Sequence, residues 1–260
     1  MSENPNTKTV SIHTTRGGFS LAVFDTALRQ IIRVNSFQSD RFDMAELDAA
    51  IEENRIVDHS VQSGILSQNH CRFTLVPAAF YDANRKRDLL ARSTRISDCE
   101  IVATDPIPEM GMHIVYADKP KPKSLPNCQN LHFLTAFLQF IIKKELTREA
   151  EMCFFAHQYQ NRLSVLIFRD QNLLLANAYN TYTAADTLYY LLVLFDNFSL
   201  SNERHKLNIS GDLSGDQGLN QSLGAYFANC SELSDFRSRV HPEQSAEPLG
   251  LVQTHQIILE

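Results

Sequence analysis

The chain has 260 residues, 43% of them hydrophobic and 21% charged, which suffices for a sizeable core in one large domain or two lobes. Its formal net charge of -6 excludes a general electrostatic pull toward nucleic acid, and no nucleic-acid partner is expected. No apolar run approaches the ~20 residues that cross a bilayer, and Met1-Ser2-Glu3-Asn4-Pro5-Asn6 lacks an apolar signal core. The 5 cysteines are scattered and form no C-x-x-C pair. An odd, dispersed set fits a reducing compartment with thiols acting as small core residues, so a cytoplasmic protein without a membrane partner is expected.

Residues 9–13, 19–24 and 31–34 read as three strands with short connections, an antiparallel meander. Asp43 is placed to cap a helix through Glu53, with Met44, Leu47, Ala50 and Ile51 on one face. Residues 72–76 read as a fourth strand stopped by Pro77, returning beside the meander by a crossover. Residues 84–95 read as a short basic helix, 105–109 as a break around Pro106 and Pro108, and 112–116 as a fifth strand. The run Lys119-Pro120-Lys121-Pro122-Lys123 reads as an extended solvated loop, and 131–144 as an apolar helix carrying Phe133, Phe137, Phe140 and Ile141.

The pattern then restarts. Residues 151–157 read as a strand, and 163–168 and 173–179 as a β-hairpin. Thr183, three residues ahead of Asp186, opens a helix that carries Leu188 to Phe195. Residues 206–210 read as a strand, 211–215 as a loop, 217–229 as a helix and 256–259 as a last short strand.

The order strand-strand-strand-helix-strand-helix thus occurs twice, and the second strands open on Phe19-Ser20-Leu21 and Leu163-Ser164-Val165. Two such units define the duplicated fold of actin, sugar kinases and Hsp70. The hairpin 163–179, its helix and the corner Asn208-Ile209-Ser210-Gly211 resemble a bacterial family of unknown function that is described as having an actin-like ATPase fold. The resemblance implies an α/β, ribonuclease H-like architecture of two lobes, each with a mixed five-stranded sheet and flanking helices. The expected division is a disordered tail at 1–8, a first lobe at 9–118, a linker and connecting helix at 119–150, and a second lobe at 151–260.

In actin-like ATPases two hairpin turns clamp the phosphates through backbone N–H groups, with acids on neighbouring strands for metal and water. By resemblance, Thr14, Thr15, Gly17 and Gly18 would face phosphate and Gly211 the adenosine of an ATP/Mg complex in the cleft between lobes. The first turn keeps two glycines, but His13 stands where the usual Asp would open the motif; a plain hairpin turn is the competing reading. The second turn, His157-Gln158-Tyr159-Gln160-Asn161-Arg162, has neither glycine nor acid. The glycines of 211–218 fit an adenosine corner or a plain strand-to-helix connection. No P-loop, H-E-x-x-H or G-x-S-x-G motif is present. His132 reads as a core histidine, Cys153 as an inert strand thiol, and Tyr179, Tyr182, Tyr189 and Tyr190 as core edge or interface.

The expected function is that of a non-catalytic protein-binding or scaffolding module with a degenerate actin-like ATPase fold. An unidentified protein partner or a homo-oligomer is expected, and no cofactor. The alternative is an ATP-binding protein with weak or no hydrolysis. A third reading, nucleic-acid association through Arg85, Lys86, Arg87, Arg92 and Arg95, competes with a solvated helix face.

Overall fold

The computed structural model describes residues 8–15, 17–39, 43–56, 61–125, 127–215, 217–233 and 249–260. The expected tail at 1–8 lies outside these except for Lys8, as does Arg16 of the first turn. The meander forms as read, with β1 Lys8–Thr15, β2 Gly18–Asp25 and β3 Gln30–Gln38. Helix α1, Met44–Glu53, starts where the Asp43 carboxylate accepts the Glu46 N–H, and it buries Leu47, Ala50 and Ile51.

The strand that returns beside β1 is not the one expected. It is β4, Val61–Gln68, which runs parallel to β1 and was missed. Its sequence VQSGILSQ has the glycine and glutamines that depress strand propensity. Burial decides instead, because a Cβ on Gly64 would stand 2.2 Å from the Leu125 side chain. The expected fourth and fifth strands become β5, Phe73–Pro77, and β7, Met112–Asp118, in a separate three-stranded sheet of order β5-β7-β6. The first part of the expected break, residues 105–107, instead ends β6, Ile101–Ile107, an edge strand of that sheet where Pro106 is tolerated, and the break itself is a short turn at Pro108–Met110. Helix α2, Lys86–Ala91, covers this small sheet through Leu90. The chain re-enters the first sheet as β8, Cys128–His132, and continues as α3, Phe133–Lys143, so the apolar helix begins two residues later than expected.

The second half gives β9 Met152–Tyr159, β10 Arg162–Arg169, β11 Asn172–Asn180, α4 Ala184–Asn197 and β12 Leu207–Gly211. Asp170 and Gln171 both have positive φ, as the tight turn between β10 and β11 requires. Thr183 and Asp186 form a full capping box at the start of α4. The expected loop after Gly211 is a short helix, α5 Asp212–Gly215, followed by α6 Gln217–Tyr226 and the strand β13 Cys230–Glu232. The expected final strand is instead a helix, α7 Leu249–Leu259.

The two large sheets have matching order, β3-β2-β1-β4-β8 and β11-β10-β9-β12-β13. In each, the first three strands are antiparallel and the last two join in parallel. Helices α3 and α7 lie between them. Phe133, Phe137, Ile141, Ile257 and Ile258 pack with Phe155, Leu166 and Phe168 of the second sheet in the largest core cluster. Helix α7 also contacts β1 to β4, β9 and β12, and is buried from Gly250 to Ile258. Its polar middle, Gln253 to Gln256, therefore needs partners in both sheets. Burial on all sides leaves no helical period, so its apolar end Ile257-Ile258-Leu259 reads as a strand. All five cysteines are free; Cys128 and Cys153 are core residues as expected, whereas Cys71 and Cys99 are exposed.

Candidate functional site

The ends of the β1–β2 and β9–β10 hairpins meet. Thr14 and Thr15 still belong to strand β1 and are buried, rather than lying in an open turn. The Thr14 hydroxyl donates to the Ser67 carbonyl at 3.4 Å. The Thr15 hydroxyl donates to the Gln160 amide oxygen of the opposite hairpin, and accepts the Gly17 N–H at 3.3 Å. A Cβ built on Gly17 would stand 3.5 Å from the same Gln160 oxygen, an ordinary contact.

Gly18 is required for a different reason. Its φ is +137°, and a Cβ would lie 2.1 Å from the Phe37 carbonyl of β3. Gly211 has φ +76°, its Cβ would lie 1.9 Å from the Gln158 carbonyl, and its N–H donates to the Gln253 side chain of α7. The Gln160 N–H donates to the Asp212 carboxylate at 2.6 Å. Gln158 receives the Thr187 hydroxyl at 2.9 Å. The structure thus brings Thr15 and Gly17 to the hairpin junction, whereas Thr14, Gly18 and Gly211 each serve a local packing or backbone need.

Behind the junction lies a polar layer that sequence reading missed. His13 is in register with Ser20 and Ser67, and His157 with Ser164 and Ser210. The same Ser-His-Ser row therefore crosses the centre of both sheets. The repeated spacing from His13 to Ser20 and from His157 to Ser164 was the available signal. Helix α7 joins the rows. His255 bonds Ser11 through Nδ1 at 2.9 Å and Ser20 through Nε2 at 3.0 Å. Thr254 meets His157 Nε2 at 3.0 Å, while His157 Nδ1 meets Ser210 at 2.9 Å. His13 Nδ1 reaches Ser67 at 3.4 Å, and its Nε2 has no hydrogen-bond partner among the described residues. Burial pushes His157 and His255 down to about 3 and holds His13 well below its ordinary value, so all three are neutral at pH 7.

A second buried polar centre links the small sheet to α3. Asp105 accepts the Tyr116 hydroxyl at 3.1 Å, the His132 N–H at 2.7 Å and the Thr135 hydroxyl at 2.7 Å, at the N-terminus of α3. Burial nevertheless pushes its carboxyl up to about 6. His132 is a core residue as read, its Nε2 lying 2.9 Å from the His70 carbonyl. No group of three His, Cys, Asp or Glu among the described residues is arranged to hold a metal ion.

Residues 2–230 match the model of a family described as "Protein of unknown function (DUF3822)". The chain belongs to this family. This DUF3822 chain is similar in structure to a protein of Bacteroides thetaiotaomicron VPI-5482 described as having an actin-like ATPase fold and unknown function, with a TM-score of 0.71, 18% identity and 96% of each chain covered. It is also similar to a chain of a PilM-PilN type IV pilus biogenesis complex, with a TM-score of 0.59, 11% identity and 98% of each chain covered. No curated protein matches in sequence. At these identities the likenesses carry the fold alone, and the DUF3822 chain has the actin-like ATPase fold.

Proposed function

We propose that this protein is a non-catalytic protein-binding module in which the nucleotide cleft of the actin-like fold has become an internal joint. The observation that carries this is the Gln160 side chain, which bonds Thr15 where the two hairpins would otherwise part to admit phosphates. The donors a phosphate would need are used internally: Gly17 on Thr15, Gln160 on Asp212 and Gly211 on Gln253. Neutral histidines stand at His13 and His157, in strands where magnesium chemistry calls for acids. The residues present do not fit an ATP/Mg complex.

A partner protein is favoured by the occurrence of one structural neighbour in a pilus biogenesis complex. A cytoplasmic setting is part of the proposal and agrees with the five free thiols. The test is calorimetric titration of ATP with Mg²⁺ into the full chain. The expected result is no saturable heat up to millimolar nucleotide. A one-site isotherm that disappears in Gln160→Trp, with the fold retained, would overturn the proposal in favour of nucleotide binding at the hairpin junction.

A further inference from the structure

Four consecutive residues, Pro77 at the end of β5 and then Ala78, Ala79 and Phe80, are exposed. Phe80, at 75% exposure, is the most exposed large hydrophobic residue among those described. It sits on a firmly held turn. The Ala78 N–H donates to the Gly111 carbonyl at 2.7 Å, the Tyr81 ring stacks on His113 at 4.0 Å, and the Tyr81 hydroxyl donates to Thr104 at 3.1 Å. A large aromatic presented on a rigid turn is the form of a docking anchor, since little conformational freedom is lost when it is covered.

The chain beyond Phe80 supplies charge. Residues 82–95 carry five cations, Arg85, Lys86, Arg87, Arg92 and Arg95, against Asp82 and Asp88, in a protein of net charge -6. Arg87 is committed to the carbonyls of Ser97, Asp98 and Glu100. Arg85 makes only an exposed contact with Asp88 at 3.7 Å. Arg85, Arg92 and Arg95 are exposed and Lys86 is half-buried, while Leu90 anchors the other face of α2 on the small sheet.

We propose that Phe80 and the exposed cations flanking α2, Arg85 and Arg92, form a docking surface for an acidic peptide segment of a partner protein, with an apolar side chain seated on Phe80. The proposal rests on the protein-binding reading above and gives the partner its chemistry. Recognition is through side chains. Strand addition to the β5 edge is opposed by Pro77, which has no N–H, and by the Ser93 hydroxyl on the Phe73 carbonyl at 3.4 Å. An acidic peptide matches the local charge; a nucleic-acid base can also stack on Phe80, but a strand with a charge on every phosphate is repelled more strongly by the acidic remainder of the chain than a short acidic peptide is.

The experiment is fluorescence anisotropy of the full chain with three labelled probes: a peptide of glutamates and leucines, its lysine-for-glutamate counterpart, and a single-stranded DNA. The acidic peptide is expected to bind saturably at low salt. Phe80→Ala and the double variant R85E/R92E should each weaken it by about tenfold or more, with the thermal midpoint unchanged, because these side chains are exposed. No binding, equal binding of the lysine peptide, tighter binding of DNA, or indifference to Phe80→Ala would each overturn the proposal. Sedimentation showing a wild-type dimer that Phe80→Ala dissociates would also overturn it, assigning the surface to a second copy. The peptide and ATP titrations separate the two claims: peptide failure removes this surface, whereas ATP binding at the hairpin junction removes the reading beneath it.

Discussion

Acid should unfold this protein through its buried histidines. His13, His132, His157 and His255 are each 0% exposed. Burial holds all four below their ordinary value of 6.5, with His157 and His255 at about 3. His13 is further opposed by the neighbouring His255, His157, His132 and Arg162. In the unfolded chain these rings titrate near 6.5, so below that pH the unfolded state binds protons that the native state refuses, and stability falls as pH falls. Asp105 works the other way. Its native carboxyl, raised to about 6 from an ordinary 3.8, takes up a proton that the unfolded chain does not take until lower pH. A fifth ring, His70, is held at about 4, again chiefly by burial. The net difference approaches about four protons, a slope of about 5 kcal/mol per pH unit, with a cumulative loss from pH 7 of about 6 kcal/mol at pH 5.5 and about 8 at pH 5. Against a typical total of about 5–15 kcal/mol, the transition should fall between about pH 5.5 and 4. The chain has no tryptophan, so urea unfolding is followed by far-UV circular dichroism at several pH values. An unfolding free energy that changes by less than about 1 kcal/mol between pH 7 and 5.5 would refute the neutral-histidine account.

Three further outcomes test the geometry. Gly17→Ala should be nearly neutral, whereas Gly18→Ala and Gly211→Ala, at φ +137° and +76° with carbonyls 2.1 and 1.9 Å from the new Cβ, should each cost about 2–4 kcal/mol in urea unfolding. Equal costs at all three would show that the glycines share one role. His13→Leu, which removes a ring nitrogen without a hydrogen-bond partner, should cost under about 1 kcal/mol, while His157→Leu strands the Ser210 hydroxyl, leaves Thr254 only its bond to the Gly250 carbonyl and should cost about 2–3; reversal of that order in thermal melts would contradict the hydrogen-bond assignment. Gln160→Ala removes the bond between hairpins and should cost about 1 kcal/mol without creating ATP binding, checked by urea unfolding and calorimetry together.

The elements legible in the sequence were those whose local signals agree with their place in the fold. The hairpin from β10 to β11, the Asp43 cap of α1 and the capping box of α4 all announce themselves through turn and cap chemistry within a few residues. What was misread depends on partners far away in the chain. Strand β4 is held by β1 and by Leu125 filling the space beside Gly64, and β6 keeps Asp105 in its interior because Tyr116, Thr135 and the His132 N–H converge on it. Helix α7 is the extreme case. With no solvent-facing side over most of its length it has little amphipathic period to read, and its Gln-Thr-His-Gln centre makes sense only once two sheets surround it.

The same dependence bears on the hairpin junction. The absence of glycine and acid from the second turn was visible in the sequence, but the replacement was not. Gln160 has φ +51°, an unusual conformation for a residue with a side chain, and its N–H is held by Asp212 while its amide reaches Thr15. Asp212 opens α5, directly after the Gly211 whose N–H is taken by Gln253 of α7. The Gly211 corner, the β9–β10 turn and the C-terminal helix are therefore connected from Thr15 to Gln253 by a chain of three hydrogen bonds and the Gly211–Asp212 peptide. A nucleotide entering between the hairpins would have to break that chain at Gln160 and leave the buried partners of the broken bonds unpaired. On the proposed reading, the joined hairpins and the Ser-His-Ser rows behind them belong to a single structural solution, in which neutral hydrogen-bonded side chains take the place that an ATPase gives to charged phosphate and metal.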